Sequence, residues 1–315
     1  MLSLTTMLAS PTLGGMSRWT ADDLPDLTGR TVIVTGANSG LGLAMARAVG
    51  RKGAHVVLAV RDLERGRSAA ATVPGSSEVR HLDLADLSSV RTFASGWHGA
   101  VDILINNAGI MMVAESKTAD GFERQFGTNH LGHFALTNLL LPYVTNRIVT
   151  LSSDAHRWDR GRIYLDNPHL VGNYSPARAY AQSKLANLLF TSELQRRLTA
   201  VGSQVRAQAA HPGWAATSLQ SHTSNRFANL ALRVGNVVVA QSAESGALPA
   251  LYAATQDLPG DSFVGPGGIG GMRGAPKLVG RHPAARDPQT AARLWALSEQ
   301  FTGTAFPLGA AAVHG

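Results

Sequence analysis

Short apolar runs alternate along this chain with stretches of helical periodicity, the pattern of an α/β domain built on a parallel sheet. TVIVT (Thr31 to Thr35) reads as a buried strand. A glycine-rich turn follows, then a helix from about Leu41 to Lys52 and a second strand from Ala54 to Val60. VDILINNAG (Val101 to Gly109) is a continuous apolar strand ending in two amides. RIVTLSSDA (Arg147 to Ala155) ends in two hydroxyls, and QVRAQAAHPG (Gln204 to Gly213) is broken by Pro212. YAQSKLANLLF opens a strongly helical stretch at Tyr180. The run from Pro259 to Pro276 is too rich in Gly and Pro for a helix and predicts a loop around a short strand. DPQTAARLWALSEQFTG then predicts a helix with Leu294, Leu297 and Phe301 along one face.

In an open parallel sheet, ligands lie outside the carboxyl ends of the strands. Asn106 and Asn107, Ser152 and Ser153, and the Pro212–Gly213 turn are therefore assigned to one site. Gly36, Gly40 and Gly42 form a GxxxGxG turn between strand and helix. There the chain must bend sharply, bring backbone amides to a phosphate and let the helix pack closely on the sheet. Tyr180 and Lys184 are four residues apart, on one helix face, where the ammonium can favour the ionised phenol. Such a tyrosine exchanges protons near neutral pH.

Composition narrows the alternatives. With 315 residues, 44% of them hydrophobic, the chain buries a large core as one domain. It has no cysteine, hence no disulfide, thiolate metal site or thiol nucleophile. The net charge of +7 comes from scattered basic residues without a Lys/Arg run, which argues for solvation and a basic cofactor mouth rather than a nucleic-acid partner. Among the 11 histidines, the HxxH pair His130 and His133 lacks the glutamate and third ligand of a zinc enzyme, so no metal is expected. The opening MLSLTTMLASPTLGGM lacks the basic start of a secretory signal, and its apolar runs are too short to span a membrane. Residues 1–18 are expected as a flexible extension, 19–304 as the domain and 305–315 as a tail, in a cytoplasmic protein without a transmembrane segment.

Taken together, the TGANSGLG turn (Thr35 to Gly42), Asp83 in HLDLADLSS, NNAG (Asn106 to Gly109), Asn129 in TNHLGHF, Ser153, YAQSK (Tyr180 to Lys184) and HPGWAAT (His211 to Thr217) resemble the short-chain dehydrogenase/reductases, in that family's order. NSGLG, VRDLERG, NHLGHF and YAQSKLANLLFTSEL are most similar to its retinol dehydrogenase-like branch and to the related WW-domain-containing oxidoreductases and protochlorophyllide reductases. The resemblance implies a single Rossmann-type domain with a doubly wound, mostly parallel sheet flanked by helices. It also implies an enzyme interconverting an alcohol and a carbonyl, as a homodimer or homotetramer. Asn129, Ser153, Tyr180 and Lys184 would be catalytic. The cofactor would meet Gly36, Asn38, Ser39, Gly40, Leu41, Gly42, Arg61, Asp83, Leu84, Asn107, Ala108, Gly109, Tyr180, Lys184, Pro212, Gly213 and Thr217. The family further implies that Lys184 holds the nicotinamide ribose, that Asn129 keeps a water linking the lysine to solvent, and that Asp83 meets the adenine edge.

Tyr180 is the expected acid/base, its phenolate favoured by Lys184 and by an oxidised nicotinamide, with Ser153 stabilising charge on the substrate oxygen. Adjacent strand residues point opposite ways, so only one of Ser152 and Ser153 faces the substrate, and the family pattern selects Ser153. The segment from Asp154 to Ala179 is expected to line the substrate mouth, with Trp158 and Tyr164 mainly as surface packing. At the end of the second strand Val60 and Arg61 replace the acidic residue that marks NAD. Arg61 favours NADP, with NAD the alternative because Asp62 stands beside it. The apolar, weakly charged segment after His211 points to a lipophilic substrate, retinoid-, steroid- or aldehyde-like. A non-catalytic NADP(H)-sensing scaffold is the alternative function, against which the intact Asn129, Ser153, Tyr180 and Lys184 set argues.

Overall fold

The runs of Val, Ile, Leu and Ala become strands buried on both faces, as parallel sheets require. The computed structural model describes residues 18–213 and 242–308. Among them the sheet comprises β1 (Thr31–Thr35), β2 (His55–Val60), β3 (Ser77–His81), β4 (Val101–Asn106), β5 (Val144–Leu151), β6 (Arg206–Ala210), β7 (Phe263–Pro266) and β8 (Pro276–Leu278). Its order is β3-β2-β1-β4-β5-β6-β7-β8, parallel except for β8, which runs antiparallel to β7. The helices are α1 (Gly40–Arg51), α2 (Leu63–Ala70), α3 (Leu87–Ser95), α4 (Arg124–Phe126), α5 (Gly132–Leu140), α6 (Pro176–Ala200), α7 (Ala243–Thr255) and α8 (Pro288–Thr302).

Strand alternation divides the core between the two faces. Val32, Val34, Val56 and Leu58 pack with Met45 and Val49 of α1 and Ala250 and Leu251 of α7. Ile33, Val57, Leu104 and Ile148 pack with Val90 of α3, Phe134 of α5, and Phe190 and Leu194 of α6. The strand order reverses between β1 and β4, which opens a crevice above their carboxyl ends.

The C-terminal helix packs through more than the expected stripe. Leu294 is buried and Phe301 partly so, yet the largest buried side chain is Trp295, whose ring stacks on Phe190 at 5.8 Å and meets Phe134 edge-on at 4.8 Å. Leu297 is only half buried. Of the tail expected at 305–315, residues 305–308 are described. Phe306 packs edge-on against Trp295 at 6.1 Å, so the packed chain runs past Thr304.

Candidate active site

A crevice of ≈ 500 Å³ opens over the carboxyl ends of β1 to β6. It gathers most of the residues expected to hold a cofactor: Gly36, Asn38, Ser39, Gly40, Leu41 and Gly42 after β1, Arg61 after β2, Asp83 and Leu84 after β3, Asn107, Ala108 and Gly109 after β4, Tyr180 and Lys184 from α6, and Pro212 after β6. Gly213 follows Pro212 with φ +68°, its amide donating to His211 Nδ1 at 3.2 Å. Thr217 and the apolar segment after it lie outside the described residues.

The first turn is built to bring backbone close to a ligand. Gly36 adopts φ +66°, which a side chain would strain. A Cβ on Gly42 would lie 2.4 Å from the Gly36 carbonyl oxygen. Ser39 caps α1 without a side-chain hydrogen bond, so its hydroxyl leaves the first-turn amides of α1 available to an anion. At the far end Arg61 and Arg65 both line the crevice. The Asp62 carboxylate is already engaged, accepting from the Arg65 amide at 3.0 Å as the cap of α2. This combination of close backbone and open helix terminus fits a nicotinamide dinucleotide, with two arginines lining the far end of the crevice.

The amide-rich turn after β4 divides its roles. Asn106 is buried beneath the sheet end, donating from Nδ2 to the Thr137 hydroxyl at 2.8 Å, and its placement in the site is corrected: the strand pleat turns it away from the crevice. Asn107 donates from Nδ2 to the Thr35 carbonyl at 2.7 Å. The Thr35 hydroxyl accepts from the amides of Asn107 and Ala108, each at 2.9 Å, and lies 2.9 Å from His133 Nε2. His133 Nδ1 donates to the Asn129 carbonyl at 3.1 Å, which fixes the tautomer and leaves Nε2 to accept the Thr35 proton. Burial first, and Lys184 nearby, depress His133 to about 4, so it remains neutral. The HxxH pair is thus internal architecture, and among the described residues no cluster of His, Asp and Glu could hold a metal.

Asn129 sits in a π-helical turn, Gly127–Leu131, of the kind frequent at functional sites. Its Oδ1 accepts from the Ile110 amide at 2.8 Å, while Nδ2 donates to the Ile110 carbonyl at 2.9 Å and the Ser183 hydroxyl at 3.0 Å. Its amide is committed to positioning the turn after Gly109.

Tyr180 and Lys184 share a face of α6, as their spacing predicts, and burial acts on both side chains. Lys184 Nζ donates to the Leu151 carbonyl at 3.2 Å and stands 5.7 Å from the Tyr180 ring centroid. Burial pushes the Tyr180 phenol up to about 12, opposed only by its hydrogen bond with Ser153, and burial brings Lys184 down to about 8. Burial is the larger influence on both groups and acts toward the neutral phenol. Ser152 Oγ donates to the Lys184 carbonyl at 2.8 Å, whereas Ser153 neighbours the phenol and caps the turn Asp154–Gly161.

Sequence reasoning missed Arg65, Ile110 and Thr128 as crevice residues, and the support behind Ser153. His156 is fully buried, and its Nδ1 donates to the Ser153 carbonyl at 2.6 Å. Its Nε2 accepts from the His282 amide at 3.1 Å.

A dinucleotide crevice ending at a half-buried tyrosine, a buried lysine and an adjacent serine defines an NAD(P)-dependent oxidoreductase acting on alcohol or carbonyl groups. Residues 30–164 match the short chain dehydrogenase family. The chain is 42% identical to human (Homo sapiens) retinol dehydrogenase 13 over 89% of its own length and 87% of that protein's. It is 40% identical to human retinol dehydrogenase 12 over 88% and 87% respectively. A crystal structure of an uncharacterized protein from Mycobacterium Paratuberculosis superposes with a TM-score of 0.81 at 58% identity, covering 92% of this chain and all of that one. The Pseudomonas aeruginosa RhlG/NADP complex shares the fold, with a TM-score of 0.61 at 24% identity over 76% of this chain and 94% of that one. The chain belongs to the short-chain dehydrogenase/reductase family. Among the described residues no helix is long and apolar enough to cross a membrane.

Proposed function

We propose that this enzyme uses NADP(H) and acts on a lipophilic small molecule, with Tyr180 as proton donor to a carbonyl oxygen. The observation that carries the reading is Tyr180, set beside Ser153 and four residues before Lys184, lining one end of a crevice that Arg61 and Arg65 also line. NADPH supplies the hydride. The Gly36–Gly42 turn and the amides of α1 would hold the diphosphate, and Arg61 and Arg65 would meet the ribose phosphate. Asp83 and Leu84 would flank the adenine, and Lys184 would bind the nicotinamide ribose.

In carbonyl reduction, Tyr180 Oη gives its proton to the substrate oxygen while Ser153 Oγ donates a hydrogen bond to it, offsetting the charge that develops there. A phenol titrating near 12 is in the correct state for this step at neutral pH. In the oxidative direction Tyr180 must first ionise, which positive charge at Lys184 assists. The names of the relatives, retinol dehydrogenases, support a retinoid as a candidate substrate, with steroids and long-chain aldehydes as comparators.

A panel of retinal, octanal, a steroid ketone and the matching alcohols, read by nicotinamide absorbance with NADPH and NADH, tests this reading. Turnover of a lipophilic aldehyde with NADPH preferred is expected. Tight NADPH binding with no turnover across the panel would favour the non-catalytic sensing alternative.

A further inference from the structure

Three successive residues, Asp159, Arg160 and Gly161, hold left-handed backbone, with φ of 51°, 58° and 62°. Two of them are not glycine. Such conformations persist only where the surroundings over-determine them, and they cluster at ligand clamps. Here the surroundings do so. Asp159 Oδ2 accepts from the Tyr164 hydroxyl at 2.7 Å and from Arg178 Nε at 3.2 Å. Arg178 also donates to Asn173, and the guanidiniums of Arg162 and Arg178 lie 5.4 and 5.9 Å from the Tyr164 ring centroid. Arg178 lies on α6 two residues before Tyr180, so the strained turn is anchored to the helix that carries the acid.

The residue this turn displays is Trp158. Its indole is 47% exposed, whereas Trp97 and Trp295 are 3% and 1% exposed. Its ring centroid lies 6.3 Å from that of Tyr180, the planes tilted by 55°. An indole so exposed adds little to a core, and its position beside the proton donor gives it a different occupant. We infer that Trp158 is a specificity-determining residue whose indole face forms one wall of the substrate position beside Tyr180 and selects planar, conjugated alcohols and carbonyls over saturated ones. The inference rests on the oxidoreductase reading of the crevice, and adds to it the class of substrate preferred.

The test uses the full chain and two readouts. The first is NADPH-dependent reduction of cinnamaldehyde and of octanal. Trp158→Ala and Trp158→Leu are expected to raise KM for cinnamaldehyde roughly three- to tenfold, the size of an aromatic contact. They should leave KM for octanal within about twofold, with kcat little changed and Trp158→Phe restoring most of the loss. The second readout needs no turnover: calorimetric binding of cinnamyl alcohol to the NADPH-bound protein, a pair that cannot react. The same variants should weaken it by the same factor. Equal effects on cinnamaldehyde and octanal, or cinnamyl alcohol binding that Trp158→Leu leaves unchanged, would overturn the inference. Octanal turnover without cinnamyl alcohol binding would overturn it and leave the oxidoreductase reading standing. Trp158-dependent binding with no turnover of either aldehyde would support the wall and count against the reading of catalysis.

Discussion

Ser152 Oγ donates to the main-chain carbonyl of Lys184 at 2.8 Å, so the first of two adjacent hydroxyls ties the end of β5 to α6 and the second faces Tyr180. Their substitutions should therefore separate. Ser153→Ala is expected to lower kcat by roughly 10²- to 10³-fold, the effect of losing a donor to a developing oxyanion. Ser152→Ala should cost about 1 kcal/mol of stability with a smaller loss of turnover. Steady-state kinetics with thermal unfolding on both variants checks the pair, and the reverse order of kcat losses would move the role to Ser152.

The cofactor assignment rests on Arg61 and Arg65, with Asp62 engaged as the cap of α2. Arg61→Ala should weaken NADPH binding by about 2 to 3 kcal/mol, the loss of a charge-assisted phosphate contact, and NADH binding little. Arg65→Ala should act in the same direction. Fluorescence titration of both cofactors decides this; equal losses for NADPH and NADH, or a wild type preferring NADH, would reject the assignment.

Thr35 closes the turn at the crevice floor, its hydroxyl meeting the amides of Asn107 and Ala108 and the His133 ring. Thr35→Val keeps the shape and strands those buried partners, so a loss of roughly 2 to 4 kcal/mol is expected, with weaker cofactor binding. Chemical denaturation measures the first and calorimetry the second. A near-neutral Thr35→Val would show that the network does not hold the turn.

Acid should unfold the protein through its buried histidines. Burial lowers His130 to about 3 and both His133 and His156 to about 4. Each is neutral in the fold, while the unfolded chain takes up a proton near 6.5, so below that pH the unfolded state binds more protons and stability falls as pH drops. The loss is about 1.4 kcal/mol per histidine for each pH unit between about 6.5 and 4. Urea denaturation across that window should show the decline, and His156→Asn should flatten it.

Much of this architecture is legible in the sequence. β1, β2 and β4 are buried on both faces, so they read as unbroken apolar runs, and the glycine turn and the Tyr180–Lys184 spacing carry their chemistry in residue type alone. What escaped depends on direction rather than type. Asn106 and Asn107 are identical letters, and only the pleat sends one under the sheet. Arg65 reads as any surface arginine until α2 aims it at the crevice. The left-handed turn at Asp159, Arg160 and Gly161 is held by Tyr164 and Arg178, and two of its three positions carry residues that do not announce that conformation. The proximity of Tyr180 to Lys184 is visible in their spacing, whereas the desolvation that raises the phenol's ionisation is a property of the folded surroundings.

The most direct test of the account is Tyr180→Phe, assayed in both directions over pH on a lipophilic aldehyde and its alcohol with NADP(H). The wild type should reduce the aldehyde steadily through neutral pH and lose that activity as pH climbs toward the phenol's ionisation, while alcohol oxidation rises over the same range. The variant should bind NADPH as wild type does and turn over on the order of a thousandfold more slowly. A variant that keeps more than about a tenth of wild-type turnover would contradict the assignment of Tyr180 as the proton donor.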